Sequence, residues 1–302
     1  MAPGESKIHV LDLGKGAFRF QKPTKILTRR DYYRQRHAPE GKDEFCFEKM
    51  MGAHFESQLK RIVDIVSRGG QGMTEEDLIT FIQFLELQRL KVPAQAAFAK
   101  ELMQHTVDKV ALTIPEVAEG LEKNLFRLEI KDEYRFTFMH EMLKEQLYFW
   151  YFTRMIWNVW SMPTGAHLLT SDNPVTIFNP DFPHLEQPGI GRLGSVVLFP
   201  LNSQHCLEMI HPERENDPGF DPAAPVEVEQ GDTCVQIRAG RVMPQGMAEA
   251  VNTLLAMRAD RFVVSDSKPT LKKVWSALQS TQRNERPTKA SRLSVPRCGT
   301  ET

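Results

Sequence analysis

Ser171-Asp172-Asn173-Pro174 gathers a carboxylate and an amide into one bend of this 302-residue chain, with Leu168-Leu169 before it and Val175-Thr176-Ile177 after it. The pattern predicts strand, sharp turn, strand. A carboxylate aimed from such a turn into a cleft can act as general base or metal ligand, and the amide beside it can position a substrate. The same residues can instead cap the turn while Pro174 stiffens it, with no chemistry implied. Both readings stay open on the sequence alone.

Other polar residues fall where helical spacing asks for apolar ones. Met51, Phe55, Leu59, Ile62 and Val66 form a stripe at helical period, and three residues before it stands Glu48. A carboxylate on that line is a site acid or metal ligand, or else a first-turn Glu that favours the helix N-terminus. Glu56 falls at the edge of the stripe, but eight residues rise about 12 Å, too far for the two acids to chelate one ion. A second stripe, Leu78, Phe81, Leu85 and Val92, has Gln88 inside it and Arg89 on its other flank. Gln88 either satisfies a neighbouring helix or faces the cavity of Glu48. On the third, Leu143, Leu147, Trp150 and Trp157 share a face with Arg154, whose expected partner is Glu48 or Asp172. Glu141 and Glu145 project from the opposite side and read as solvated surface.

Several familiar constellations fail. His140-Glu141 has no second His at zincin spacing, and neither a phosphate-binding Gly-Lys-Ser/Thr loop nor Gly-x-Ser-x-Gly occurs. Gly189-Ile190-Gly191-Arg192-Leu193-Gly194 matches a dinucleotide fingerprint formally, yet a strand follows it where a helix should open. A restriction-type nuclease needs an acid-x-Lys on the strand after Asp172, and Val196 to Leu201 offers none. The nine histidines do not cluster, and Cys46, Cys206, Cys234 and Cys298 lack any Cys-x-x-Cys pair.

The elements that must position these residues change character along the chain. One or two short strands around Gly14 and Gly16 come first. Expected helices run from Glu44 to Ser67 behind a capping Asp43, from the capping box at Thr74 to about Val92, over Ala94 to Ala111, from Pro115 to Phe126, and over an aromatic stretch from Glu133 to Trp160. Short strands follow at Leu168–Thr170, Val175–Phe178, Val196–Pro200, Cys206–Ile210 and Thr233–Ile237. A helix at Met247–Ala259, a strand at Arg261–Ser265 and a helix at Thr270–Leu278 close the fold. Helices first and strands later predict an α+β fold: a helical half packed on a mostly antiparallel sheet. One domain is expected over residues 1–279, helical over about 43–160 and sheet-forming over about 166–279, with a disordered polar tail over 280–302.

A net charge of −1, 41% hydrophobic and 25% charged residues describe an ordinary soluble globular chain. That balance does not call for nucleic acid, and the basic residues of the tail (Arg283, Arg286, Lys289, Arg292, Arg297) have no aromatic interleaving. No stretch is long and apolar enough for a signal peptide or a bilayer span, so a cytoplasmic setting is expected.

The order of features resembles the family catalogued as domain of unknown function 4238. The resemblance rests on Asp31-Tyr32-Tyr33, Phe47-Glu48-Lys49 with Glu56, the run from Phe84 to Pro93, and a tryptophan-bearing helix. It continues through Leu169-Thr170-Ser171-Asp172-Asn173-Pro174-Val175, Phe199-Pro200-Leu201, and Val251-Asn252 through Asp260-Arg261-Phe262-Val263. Lys91 stands where the family usually has Arg, and the family's opening His-x-x-Pro stretch has no counterpart here. The resemblance brings no mechanism, only candidates: Glu48, Glu56, Gln88, Lys91, Asp172, Asn173 and Asn252.

Two functions are therefore expected. One is a hydrolase, nuclease-like or otherwise assisted by a divalent metal. In it Glu48 and Asp172 are ligands or general base, Gln88 and Asn173 position substrate, and Lys91 or Arg154 stabilises negative charge. The other is a non-catalytic interaction or sensor protein in which these residues form a structural network, with the aromatic helix or the tail carrying the contact.

Overall fold

The computed structural model describes residues 7–23, 26, 43, 45, 49, 55, 57–130, 134–146, 148–183, 189–228 and 235–284. Among them the chain is α+β, with most helices in the N-terminal half and most strands after residue 155. Strands β1 (Ile8–Asp12) and β2 (Ala17–Gln21) form the opening hairpin. Gly16 turns it at a φ of 62°, a conformation open to glycine. Helices α1 (Ser57–Ser67), α2 (Glu75–Leu90), α3 (Pro93–Ala111) and α4 (Pro115–Glu122) follow. The expected capping box is present: Thr74 accepts from the Asp77 N–H while the Asp77 carboxylate accepts from Thr74. Proline opens both α3 and α4, where its missing N–H costs nothing.

The aromatic stretch is not one helix. It is α5 (Tyr134–Lys144), a break with Gln146 at φ 50°, a short α6 (Phe149–Arg154) and strand β3 (Ile156–Ser161). Its end is strand because Trp157 and Val159 pack on one side while Trp160 packs on the other, a period of two and not of 3.6. The remaining elements are β4 (Thr170–Ser171), β5 (Thr176–Phe178), β6 (Val196–Pro200), β7 (His205–Ile210), α7 (Pro212–Asn216), β8 (Ile237–Val242), α8 (Gln245–Met257), β9 (Phe262–Ser265) and α9 (Lys268–Asn284). β8 begins where the expected strand ended. Among the described residues it pairs only with β3 and lies mostly exposed at a sheet edge, so no buried alternation marks it in the sequence. α9 runs past the expected start of the tail, to Asn284.

Two sheets result, in the orders β2-β1-β9-β4 and β5-β6-β7-β3-β8. All pairings are antiparallel except β3 with β8. The five-stranded sheet is covered on both faces. Val197, Phe199, Leu207 and Met209 face α1, α2 and α6, whereas Leu198 and Cys206 face α8, α9 and the smaller sheet. Burial on both faces explains the unbroken apolar run Val196-Val197-Leu198-Phe199. Among the described residues no helix is long and apolar enough to cross a membrane.

Candidate functional site

The Ser171-Asp172-Asn173-Pro174 bend does join two strands, but they belong to different sheets: β4 lies in the four-stranded one and β5 in the five-stranded one. The bend is thus a crossover between sheets, and its side chains anchor it. Asp172 Oδ1 accepts the N–H of Asp260 at 2.9 Å, and Oδ2 accepts those of Arg261 at 2.8 Å and Phe262 at 2.9 Å. Asp172 returns its own N–H to the Phe262 carbonyl. Burial pushes the carboxyl pKa up, and the three donors pull against that. Both oxygens are engaged with backbone, which is the work of a turn clamp.

Asn173 spans two helices. Its Nδ2 donates to the Arg258 carbonyl at the end of α8 (2.8 Å), and its Oδ1 accepts Arg89 Nη1 of α2 at 3.4 Å. Its N–H donates to Ser171 Oγ at 3.1 Å. Asn252, on α8, does similar work one strand earlier. It accepts the Leu169 N–H and donates to the His167 carbonyl, each at 2.9 Å. Arg261 carries the clamp further, its guanidinium pairing with the buried Asp12 of β1 at 2.9 Å and holding that carboxyl below its ordinary pKa.

Other sequence candidates sit elsewhere. Arg154 pairs with Glu213 at 2.5 Å, not with Asp172, because the chain turns from helix to strand just after it and leaves it half exposed. Gln88 and Lys91 are only half-buried. Buried beside Gln88 are Glu86 (0% exposed) and Arg89 (7%), which join Asp77 and Thr80 as the buried polar residues of α2. Glu48 and Glu56 lie outside the described residues. Asp172, Asn173 and Arg89 are therefore joined, whereas Asn252 and Arg154 serve other contacts.

Around Arg89 is a buried polar cluster that the stripe analysis missed. Tyr148, which opens α6, donates its backbone N–H to Glu86 Oε1 at 2.9 Å and takes a hydrogen bond from Arg89 on its side chain. Glu86 Oε2 and Arg89 Nε are buried without a hydrogen-bond partner. Burial raises the Glu86 pKa to about 7 and lowers that of Arg89. The signal was present: three residues apart on a helix with no polar face, Glu86 and Arg89 must lie on one side of it and inside the protein.

A cavity of about 440 Å³ opens between the α1–α2 turn (Gly69, Gly70, Met73, Thr74) and Val235 and Ile237 at the start of β8. None of the sequence candidates lines it. Among the described residues no three His, Cys, Asp or Glu gather in a way that could hold a metal ion.

No curated protein and no solved structure matches the chain. A family model does, over residues 2–269, and its description is "Protein of unknown function (DUF4238)". With nearly nine-tenths of its length under that match, the chain belongs to the DUF4238 family.

Proposed function

We propose that this protein works by binding a partner and that the partner sits on the α3–α4 hairpin. The observation that carries this reading is where exposed apolar side chains collect. Seven of the ten exposed large hydrophobics among the described residues lie between Phe98 and Phe126. Phe98 and Leu102 stand four apart, on one face of α3. Val110, Leu112 and Ile114 occupy its end and the turn, and Leu125 and Phe126 follow α4, Leu125 at 73% exposure. Single exposed hydrophobics are ordinary, but a concentration on one protrusion marks an interaction surface. Of the aromatic stretch, one of the two segments expected to carry the contact, Phe149, Phe152 and Trp157 are core residues, which supports placing the contact on the hairpin. On the polar side, Asp172, Asn173 and Asn252 act as the structural network this reading requires.

The test is a photo-crosslinking residue placed at 102 or 125 in living cells, with positions 20 and 242 as exposed apolar controls. The expected result is a discrete crosslinked species from the hairpin positions only. No species, or the same species from the controls, overturns the reading.

One observation favours the hydrolytic reading instead: three residues apart on α2, Glu86 keeps a buried oxygen and Arg89 a buried Nε without a hydrogen-bond partner. In that reading Glu86 takes a proton from water and Arg89 stabilises the developing negative charge, as it would on a phosphoester. Turnover of such a substrate that disappears in Glu86→Gln while the fold persists would move the assignment to this cluster.

A further inference from the structure

We infer that the buried guanidinium of Arg89 belongs to a binding site for an oxyanion, a phosphate or carboxylate group, completed by Tyr148 and Arg258. The site is independent of the hairpin reading and needs no chemistry at Glu86. Arg89 is buried, and among the described residues it makes no ion pair. A carboxyl group can relieve burial by keeping its proton, as Glu86 does, but a guanidinium stays charged in a protein. Such a buried charge is costly unless an opposite charge reaches it.

The contacts of Arg89 do not supply that charge. Nη1 donates to Asn173 Oδ1 at 3.4 Å, a long bond to a neutral amide, and the guanidinium also bonds the Tyr148 side chain. Nε is buried with no hydrogen-bond partner. Glu86, three residues earlier on α2, spends one oxygen on the Tyr148 backbone and forms no ion pair with Arg89.

A second positive charge stands near the same guanidinium. Asn173 holds the Arg89 side chain on its Oδ1 and the Arg258 carbonyl on its Nδ2, the latter at 2.8 Å. Burial lowers the Arg89 pKa, and the charge of Arg258, which caps the end of α8, lowers it further. Bringing one cation toward another that is buried and unpaired is unfavourable unless an anion lies with them.

The donors suit a group with two or more oxygens. The Nε edge of a guanidinium presents parallel N–H groups to a carboxylate or phosphate. Burial keeps the Tyr148 phenol protonated, so it accepts from Arg89 and retains its O–H to donate. Two arginines match the double charge of phosphate more closely than the single charge of a carboxylate.

The test titrates the full chain with inorganic phosphate, sodium chloride matching the ionic strength and acetate serving as the carboxylate arm. Phosphate should raise the melting midpoint along a saturating curve, and calorimetry should find one site per chain. Tyr148→Phe and Arg258→Met should each weaken binding by roughly tenfold or more, and Arg89→Met should abolish it. Tyr148→Phe keeps its ring in place, so the test stands even where Arg89→Met fails to fold. Saturation by acetate with phosphate inert keeps the site and makes its ligand a carboxylate. A rise that never saturates, that chloride reproduces or that the variants retain is a general salt effect and overturns the inference, as does no rise with either anion. None of these outcomes alters the hairpin crosslinks, so the two readings fail separately.

Discussion

Asp172 and Arg261 hold each other at two removes: the carboxylate takes the Arg261 N–H at 2.8 Å, and the Arg261 side chain, freed to point away, reaches Asp12 on β1. One backbone position thereby ties the crossover, β9 and the first strand together. Asp172→Ala should cost about 2–4 kcal/mol in denaturant unfolding, since three N–H donors lose their acceptor. Mg²⁺, Mn²⁺ or Zn²⁺ should leave the wild-type melting midpoint unmoved, because both oxygens are already engaged. A metal-dependent rise lost in Asp172→Ala would return this residue to catalysis.

Glu86 predicts a pH dependence of definite sign. Its carboxyl titrates at about 7 when folded against an ordinary 4.5. Between those values the folded state keeps a proton that the unfolded state has lost, so stability falls as pH rises through this window and is level above about 7. The full effect is on the order of 3 kcal/mol. Glu86→Gln should flatten the profile of unfolding free energy against pH over this range. An equal slope in wild type and variant would assign the titration to another group.

Asn173 and Arg89 should behave as a coupled pair. Asn173→Ala leaves the Arg258 carbonyl and the Arg89 guanidinium short of a partner, at about 1–3 kcal/mol. With Arg89→Met in a double-mutant cycle, the combined loss should be smaller than the sum. Strict additivity would mean that the 3.4 Å contact carries no energy.

Gly194 should not tolerate alanine. A Cβ there would sit 2.6 Å from Pro222 Cβ and 2.8 Å from the Pro222 carbonyl oxygen, and backbone cannot swing aside as a side-chain tip can. The expected cost in thermal or denaturant unfolding is about 1–3 kcal/mol.

What the sequence made legible follows from which forces are local. Proline at the start of α4, the Thr74 capping box and the Gly16 turn act within a few residues, and each of these appears where its signal stands. The strand β6 was readable to the residue, because burial on both faces leaves an unbroken apolar run. The stretch from 133 to 160 was not readable. Aromatic side chains suit a buried helix and a buried strand equally, and only the pairing of Trp157 with Met209 and Val159 with Leu207 decides. In the candidate site the Thr-Ser-Asp-Asn-Pro-Val bend was visible, but its role depended on donors 88 to 90 residues downstream. The α2 stripe pointed to Gln88, which is only half-buried, whereas the polar residues that this largely apolar helix buries next to it are Glu86 and Arg89.

The pairing of β1 with β9 has a consequence for the order in which this molecule can be made. His9 lies opposite Ser265 and Asp12 opposite Phe262, so the second neighbour of β1, after its hairpin partner β2, is the ninth strand of the chain. Until residues beyond 265 have left the ribosome, the inner edge of the opening hairpin has no neighbour and Asp172 has no donors. The smaller sheet and the crossover therefore close together as a late, long-range event, after the local helices have formed. A chain cut short before β9 exposes an unpaired strand edge at one end and an unfilled carboxylate in the middle, and a few missing residues near residue 260 undo contacts made at residue 10.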